Sequence, residues 1–257
     1  MLLTITLLTS LSFAALYPLC FWISYRDPLK NKFHRFHLGL PTIVASVTSI
    51  FILFQNIPFD IKFTLCVWTI ILILRSYYYW HKESVDPRVI TISCLIGIYA
   101  LIRLQSGLIA SDFSFHVISI LSGFIFCSSL YAMNLGHWYL NVHGLSLNHL
   151  KRAVFVLGCF LVVRFIWDIV YLSFSHIVYL GENIPAFKFL WTLDGFLLSL
   201  GIIFGTIFPF LSLFFASETL KLKNTQSTTG ILYVILCSVL IGDIAYKYYF
   251  IKFHIFL

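Results

Sequence analysis

Charged side chains lie inside several long apolar runs of this sequence, where each one is a candidate for chemistry. The segment RFIWD places Arg164 and Asp168 four residues apart, and DIAYK places Asp243 and Lys247 at the same spacing. Side chains at i and i+4 lie on one face of a helix, so each segment predicts an intrahelical ion pair. An ionised group in hydrocarbon costs several kcal/mol unless it is paired or hydrated, so the two pairs predict a polar functional site.

Three further ionisable residues join this candidate intramembrane cluster: Arg103 in the fourth apolar run, His116 at the start of the fifth and Asp194 early in the seventh. Alternating membrane crossings bring all of these groups to similar depths. The sequence therefore predicts an outer-leaflet polar cavity for a solute, a proton, a lipid headgroup or a cofactor, lined by Arg103, His116, Arg164, Asp168, Asp194, Asp243 and Lys247. The structural alternative is that two intrahelical pairs and an Arg103–Asp194 bridge neutralise the charges and lock the bundle.

Histidines form a second candidate site, because NLGHWYLNVHGLSLNHLKR places His137, His143 and His149 six residues apart. Zinc and iron sites on helices use histidines three or four apart with carboxylates nearby, and a spacing of six fits neither a helix nor a strand. We interpret these residues, together with His34 and His37 of HRFH, as side chains of the membrane interface. A metal site built across loops is the alternative. We predict no metal and keep His137 as a secondary candidate.

The composition indicates a membrane protein. Of the 257 residues, 60% are apolar or aromatic, only 11% are charged, and the mean hydropathy is +0.94. Soluble domains carry about 25% charged residues. The net charge of +7 is dispersed over loops between apolar runs, so it does not indicate nucleic-acid binding. The predicted partners are the lipid bilayer and, for a subunit role, other membrane proteins.

Eight apolar runs predict the membrane crossings, at about 3–24, 40–57, 61–80, 89–107, 114–140, 153–174, 190–215 and 229–251. A helical crossing needs about 20 apolar residues. Lys and Arg are more frequent in every odd-numbered connection than in its even neighbours, so the positive-inside rule places both termini outside the cytoplasm. We expect an all-α polytopic bundle of about eight spans, one domain over 1–257, in a bacterial cytoplasmic membrane. A seven-span alternative omits the run at 40–57.

The seventh run also contains features of close packing. Gly201 and Gly205 form a GxxxG pattern, which permits close contact with another helix, and Pro209 follows it. We interpret the glycines as packing residues.

Three classes of function fit these patterns. The first is small-solute or proton-linked transport through the polar cavity. The second is an enzyme acting on lipid headgroups, in which Arg103, Arg164 and Lys247 hold phosphate. The third is a redox or scaffold subunit without its own chemistry. The sequence identifies no cofactor. His116 and His137 would lie about 31 Å apart along one helix at roughly 1.5 Å per residue, too far to bind one haem iron together.

Overall fold

The computed structural model describes residues 1–25, 29, 32–109, 113–142 and 146–257 of an almost entirely helical chain. The helices are α1 (Leu2–Leu16), α2 (Phe33–Leu53), α3 (Phe59–Trp80), α4 (Pro87–Leu108), α5 (Phe113–Asn141), α6 (Asn148–Phe174), α7 (Ala186–Phe189), α8 (Phe196–Ile202), α9 (Phe208–Lys221) and α10 (Thr225–Phe253). A 3₁₀ helix, Tyr17–Ser24, continues α1, and a π-helical segment, Ile203–Ile207, joins α8 to α9. Strands β1 (His176–Tyr179) and β2 (Glu182–Pro185) form an antiparallel hairpin.

Within the described residues, seven helical segments are long and apolar enough to cross a membrane. They are α1 with its 3₁₀ continuation, α2, α4, α5, α6, the continuous α8–α9 helix and α10. The protein is therefore a multi-pass integral membrane protein. Helix α3 has a similar length but carries Asp60, Lys62 and Arg75, and it is not among the seven.

Each of the eight apolar runs of the sequence corresponds to one long helical segment of the structure, with shifted ends. The largest shifts are at α2, which begins seven residues before the run at 40–57, and at the α8–α9 helix, which begins six residues after the run at 190–215. The seven-span alternative omitted the run at 40–57, yet α2 covers most of that run and is one of the seven segments. The eight-span threading and the outward orientation of both termini stay predictions.

Capping residues explain where two of the helices begin. The Asp86 carboxylate accepts a hydrogen bond from the backbone N–H of Arg88 at 2.9 Å, and Pro87 occupies the first turn of α4, where no N–H is needed. Asn224 precedes α10 and accepts a hydrogen bond from the N–H of Ser227 at 3.0 Å. These polar caps satisfy backbone donors that have no partner within their own helix.

The β1–β2 hairpin lies in the connection between α6 and α7. Leu180 and Gly181 both have positive φ angles, 53° and 85°, as the two central residues of a type I′ turn require. Glycine adopts this conformation without steric cost, whereas a leucine seldom does. The tight turn fixes the register, in which Tyr179 pairs with Glu182.

Residues 2–123 form one compact unit. In it α1 packs against α2 and α4, and α3 packs between α2 and α4. Trp68 of α3 is fully buried and donates its indole N–H to the Ser93 carbonyl of α4 at 3.0 Å. Gly97 makes room for this ring, because a Cβ atom there would lie 2.6 Å from it. The predicted single domain over 1–257 stays a prediction.

Residues 124–257, together with Met1, form the second compact unit. In it the α8–α9 helix runs antiparallel to both α6 and α10 and contacts each of them. A Cβ atom on Gly242 of α10 would lie 2.1 Å from the Cα of Gly205, and one on Gly201 would lie 2.8 Å from the Cβ of Ala245. The packing role predicted for the GxxxG glycines is confirmed. Because both neighbours run antiparallel to α8–α9, α6 and α10 run parallel to each other.

Candidate functional site

The Arg164–Asp168 pair of α6 is formed as predicted and is buried inside the second unit. Arg164 Nε lies 2.9 Å from Asp168 Oδ1, and the two side chains are 1% and 4% exposed. The guanidinium also lies over the ring of Tyr246 from α10, 3.9 Å from its centroid. An aromatic face attracts a cation, so the tyrosine stabilises the charged form of Arg164.

Two hydroxyl groups from other segments complete the surroundings of Asp168. Thr206 Oγ1, from the π-helical segment, donates to Asp168 Oδ2 at 2.6 Å, and the Tyr246 hydroxyl lies 2.8 Å from Thr206 Oγ1. The Tyr246 hydroxyl also donates to Asp168 Oδ2 at 3.4 Å, and either hydroxyl can be the donor in its contact with Thr206. The three side chains therefore form a hydrogen-bonded chain that ends on the carboxylate of Asp168.

The second predicted pair, Asp243 and Lys247 of α10, is also formed and buried. Lys247 Nζ donates to both carboxylate oxygens of Asp243, and each side chain is at most 5% exposed. Asp243 also interacts electrostatically with Arg164, which connects the two pairs. We call the complete set the charged cluster: Arg164, Asp168, Thr206, Asp243, Tyr246 and Lys247. Its two cations and two carboxylates balance, which lowers the cost of burying each charge in an apolar bundle.

Proline explains the π-helical segment that supplies Thr206. Pro209 has no N–H to donate to the preceding turn, and its ring crowds the carbonyl there. The chain widens at this point: the N–H of Phe208 donates to the carbonyl of Ile203, five residues back. The Phe204 carbonyl then accepts a hydrogen bond from Ser238 Oγ of α10. Single π turns within α-helices are frequent at functional sites.

An apolar cap covers the end of the unit beyond the charged cluster. It consists of residues from the hairpin, α7 and the segment after α10: Ile177, Ala186, Phe189, Ile255 and Leu257. Tyr246 and Tyr249 of α10 pack against it. The indole N–H of Trp167 on α6 donates to the carbonyl of Phe256 at 2.7 Å, so the residues after α10 are fixed to α6.

Arg103 and His116 of the predicted set belong to the other compact unit. Arg103 forms an ion pair with Asp60 of α3, and both side chains are largely exposed, at 44% and 58%. His116 Nδ1 lies 2.7 Å from Gln105 Oε1. Arg103 thus pairs with a carboxylate that the sequence argument had not considered, and the alternative of an Arg103–Asp194 bridge stays a prediction.

Asp194 lies at the hairpin rather than among the buried pairs. Its Oδ2 accepts a hydrogen bond from the Tyr179 hydroxyl at 2.9 Å, and Lys252 Nζ lies 3.5 Å from its Oδ1. The hydrogen bond to the carboxylate raises the pKa of Tyr179 above its usual value. Of the seven predicted residues, the structure thus brings together Arg164, Asp168, Asp243 and Lys247, and gives the other three separate partners. A pocket shared by all seven stays a prediction.

The histidines of the second candidate site are placed differently from one another. His137 is exposed near the end of α5, whereas His149 is buried in the first turn of α6. His143 lies outside the described residues. In the part of the chain that the structure describes, no group of three or more His, Cys, Asp or Glu side chains is arranged to hold a metal ion.

His34 and His37 are buried in α2 rather than exposed as snorkelling side chains are, and the interface interpretation stays a prediction for them. His34 Nε2 lies 3.0 Å from the carbonyl of Tyr79. His37 Nδ1 lies 2.6 Å from the Tyr17 hydroxyl, and its ring stacks on Phe33 with centroids 3.9 Å apart. A hydroxyl and an aromatic face replace water around the imidazole of His37, which explains its burial.

Sequence reasoning did not single out Thr206, Tyr246 or Arg75, all of which are buried. Thr206 and Tyr246 are uncharged, although they adjoin Gly205 and Lys247, which the sequence had singled out. Arg75 lies inside the third apolar run and carried the same signal as the other intramembrane charges. It is 6% exposed and donates to Ser93 Oγ at 2.8 Å. Among the described residues, its Nε and Nη2 have no hydrogen-bond partner.

The chemistry available at the charged cluster is proton exchange and charge pairing, because it combines two carboxylates, two cations and two hydroxyls away from bulk water. No family model, curated protein or solved structure matches the chain significantly. The functional argument therefore depends on the residues and their geometry.

Proposed function

We propose that the protein is a membrane transporter that couples movement of a small solute to proton exchange at the charged cluster. Asp168 is the exchanging carboxylate, and Arg164 is the cation that pairs with it between exchanges. The observation that carries the proposal is the buried chain from Tyr246 through Thr206 to Asp168, with an arginine at its end.

Burial of two complete ion pairs supports a functional role. Apolar side chains of similar volume generally stabilise a protein as well as a buried ion pair does, or better. If the four charged side chains served only to hold the helices together, apolar side chains could therefore replace them. Ionisable groups within membrane spans characteristically mark ion and proton pathways.

The position along the helices supports an outer-leaflet site. Lys151 and Arg152 at the start of α6 mark its cytoplasmic end under the positive-inside rule. Asp168 follows Asn148 by twenty residues, which is about 30 Å along a helix. The cluster then lies in the outer half of the membrane, beneath the apolar cap, which would have to move to admit solvent.

A local hinge supports alternating access to the site. Thr206 belongs to the π-helical segment before Pro209, where the regular backbone hydrogen bonding of the helix is interrupted. Irregular backbone within a membrane helix is tolerated where side chains satisfy the freed groups, as Ser238 does here. Bending at this segment would separate Thr206 from Asp168 and break the hydrogen-bonded chain.

A pH-jump experiment on the reconstituted full-length protein tests the proposal. Proteoliposomes adsorbed on a solid-supported membrane are exposed to an acidic pH jump, and the capacitive current is recorded. We expect a transient current in the wild type, because protons enter the membrane field to reach Asp168. Asp168→Asn should reduce it at least about tenfold, since an amide does not take up a proton at these pH values.

The matched control is Asp60→Asn, which removes a carboxylate from an exposed ion pair outside the charged cluster. It should leave the current unchanged. A wild-type current equal to that of empty liposomes, or an undiminished current in Asp168→Asn, would rule out proton exchange at this site.

The two alternative classes of function gain less support from the geometry. A headgroup enzyme needs a base or nucleophile open to its substrate, whereas Asp168 and Asp243 are both buried and paired. A haem or quinone subunit needs facing histidines on different helices. His116 and His137 lie on the same helix, α5.

A further inference from the structure

A large apolar groove runs along the surface of the second unit between α6 and α9. Its volume is about 830 Å³, within the roughly 300–1,000 Å³ of small-molecule sites. Gly158 forms part of its floor, where a Cβ atom would lie 3.0 Å from Leu213. Phe155 and Phe214 form the walls and are 71% and 63% exposed. The absence of a side chain at Gly158 between two projecting rings creates the concave shape.

The two ends of the groove differ in chemistry. Toward the charged cluster, Phe210 stacks on Phe165 with ring centroids 5.8 Å apart. At the opposite end Lys151 and Lys221 line the groove beside Ser217.

The length of the groove matches a lipid chain of one leaflet. Lys151 and Val162, the outermost α6 residues of its lining, are eleven positions apart, or about 17 Å along the helix. That is roughly half of the 30 Å hydrocarbon thickness.

The electrostatics of the charged end favour an anion. Lys151 and Lys221 are exposed at the groove, and Arg152 and Lys223 adjoin them in the chain. The acidic residue at this end is Glu218, which accepts a hydrogen bond from Lys221 at 2.6 Å. Two basic side chains line this end of the groove and two more adjoin them in the chain, against one acidic side chain, so the local positive charge attracts a phosphate group.

We propose that the α6–α9 groove binds one anionic glycerophospholipid, with an acyl chain along its apolar floor and the phosphate between Lys151 and Lys221. The lipid comes from the leaflet that contains the start of α6. This site is separate from the charged cluster, and it does not depend on the proposed proton exchange.

Native mass spectrometry of the delipidated full-length protein tests the site. The protein is incubated with phosphatidylglycerol or with phosphatidylcholine of the same acyl chains, and the bound lipid is counted at increasing collision energy. We expect one tightly retained phosphatidylglycerol. The double variant Lys151→Gln/Lys221→Gln should lower its affinity about thirtyfold, because each basic residue near a membrane surface contributes about fivefold. It should leave the affinity for phosphatidylcholine unaffected.

A second variant tests the apolar part of the groove. Cys159 is exposed and lines the groove, so Cys159→Trp should fill it and reduce retention of both lipids. The control is Cys237→Trp, at the other exposed cysteine, on α10 outside the groove lining. The charge control is Lys82→Gln/Lys188→Gln, which removes two exposed lysines elsewhere. Neither control should change lipid retention.

Three outcomes would overturn the proposal. The first is equal retention of both lipids by the wild type and the lysine double variant, which indicates unselective boundary lipid. The second is a Cys159→Trp variant that melts like the wild type and still retains both lipids as well as the wild type does. The third is a wild-type protein that is a dimer and a Cys159→Trp variant that is a monomer. This result would show that a second copy of the chain occupies the groove.

Discussion

Removing one member of the Arg164–Asp168 pair should destabilise the protein far more than removing both. The Coulomb attraction across 2.9 Å is about 6 kcal/mol at an effective dielectric constant of about 20. Desolvation costs several kcal/mol for each ion, so the net contribution of the intact pair is small. A single substitution leaves the desolvation cost of the remaining ion without the attraction. The expected loss of stability for a single variant is about 3–5 kcal/mol.

The two single variants should differ in a defined direction. After Arg164→Met, the carboxylate of Asp168 can take up a proton and keep its hydrogen bond with Thr206, so the loss falls near about 3 kcal/mol. After Asp168→Leu, the guanidinium of Arg164 cannot lose its proton, and the loss approaches about 5 kcal/mol. The double variant leaves Thr206 and Tyr246 hydrogen-bonded to each other and should lie within about 2 kcal/mol of the wild type.

Titration with sodium dodecyl sulfate in mixed micelles measures these differences as free energies of unfolding. The control pair is Arg103–Asp60, whose side chains are 44% and 58% exposed. Because an exposed pair is screened by solvent, Arg103→Met should change stability by no more than about 1 kcal/mol. Losses below about 1 kcal/mol for both Arg164→Met and Asp168→Leu, or additive losses in the double variant, would refute the reasoning from burial.

Three further predictions concern other parts of the molecule. Gly242→Ala should lower the free energy of unfolding by about 1–3 kcal/mol in the same titration, because its Cβ atom would overlap the α8–α9 backbone. The control Gly230→Ala lies on the same helix, where a Cβ atom meets nothing within 4 Å, and it should be neutral or slightly stabilising. Arg75→Met should leave stability unchanged or raise it, since it removes a buried cation that has no salt bridge among the described residues. Asp194→Asn should return the raised pKa of Tyr179 toward its usual value in a tyrosine titration. The hydrogen bond from Tyr179 stabilises the fold below the usual tyrosine pKa, and that stabilisation should disappear as the pH rises through the raised pKa.

Local spacing was enough to predict the two buried ion pairs. Arg164–Asp168 and Asp243–Lys247 each lie four residues apart on one helix, and helix geometry alone brings such side chains together. The helices themselves followed from the apolar runs, because a membrane span needs a long uninterrupted apolar stretch. The close contact at Gly205 followed from the GxxxG pattern in the same way.

Contacts between distant residues could not be predicted from the same signals. Arg103 pairs with Asp60, and Asp194 pairs with Lys252. The two members of each pair are far apart in the sequence, so their contact depends on which segments pack against each other. The pattern of apolar runs assigns each charged side chain a depth in the membrane. It does not identify which side chain of another helix lies next to it. Thr206 was missed because its role depends on the π-helical segment, which periodicity does not reveal.

Infrared difference spectroscopy tests the central claim most directly, because it detects the protonation of a single carboxyl group in the reconstituted protein. The difference between spectra at low and neutral pH should contain a carboxylic acid C=O band from Asp168. The band should vanish in Asp168→Asn, shift in Asp168→Glu and persist in Asp60→Asn. A band of unchanged intensity in Asp168→Asn would show that the proton binds elsewhere and would contradict the account.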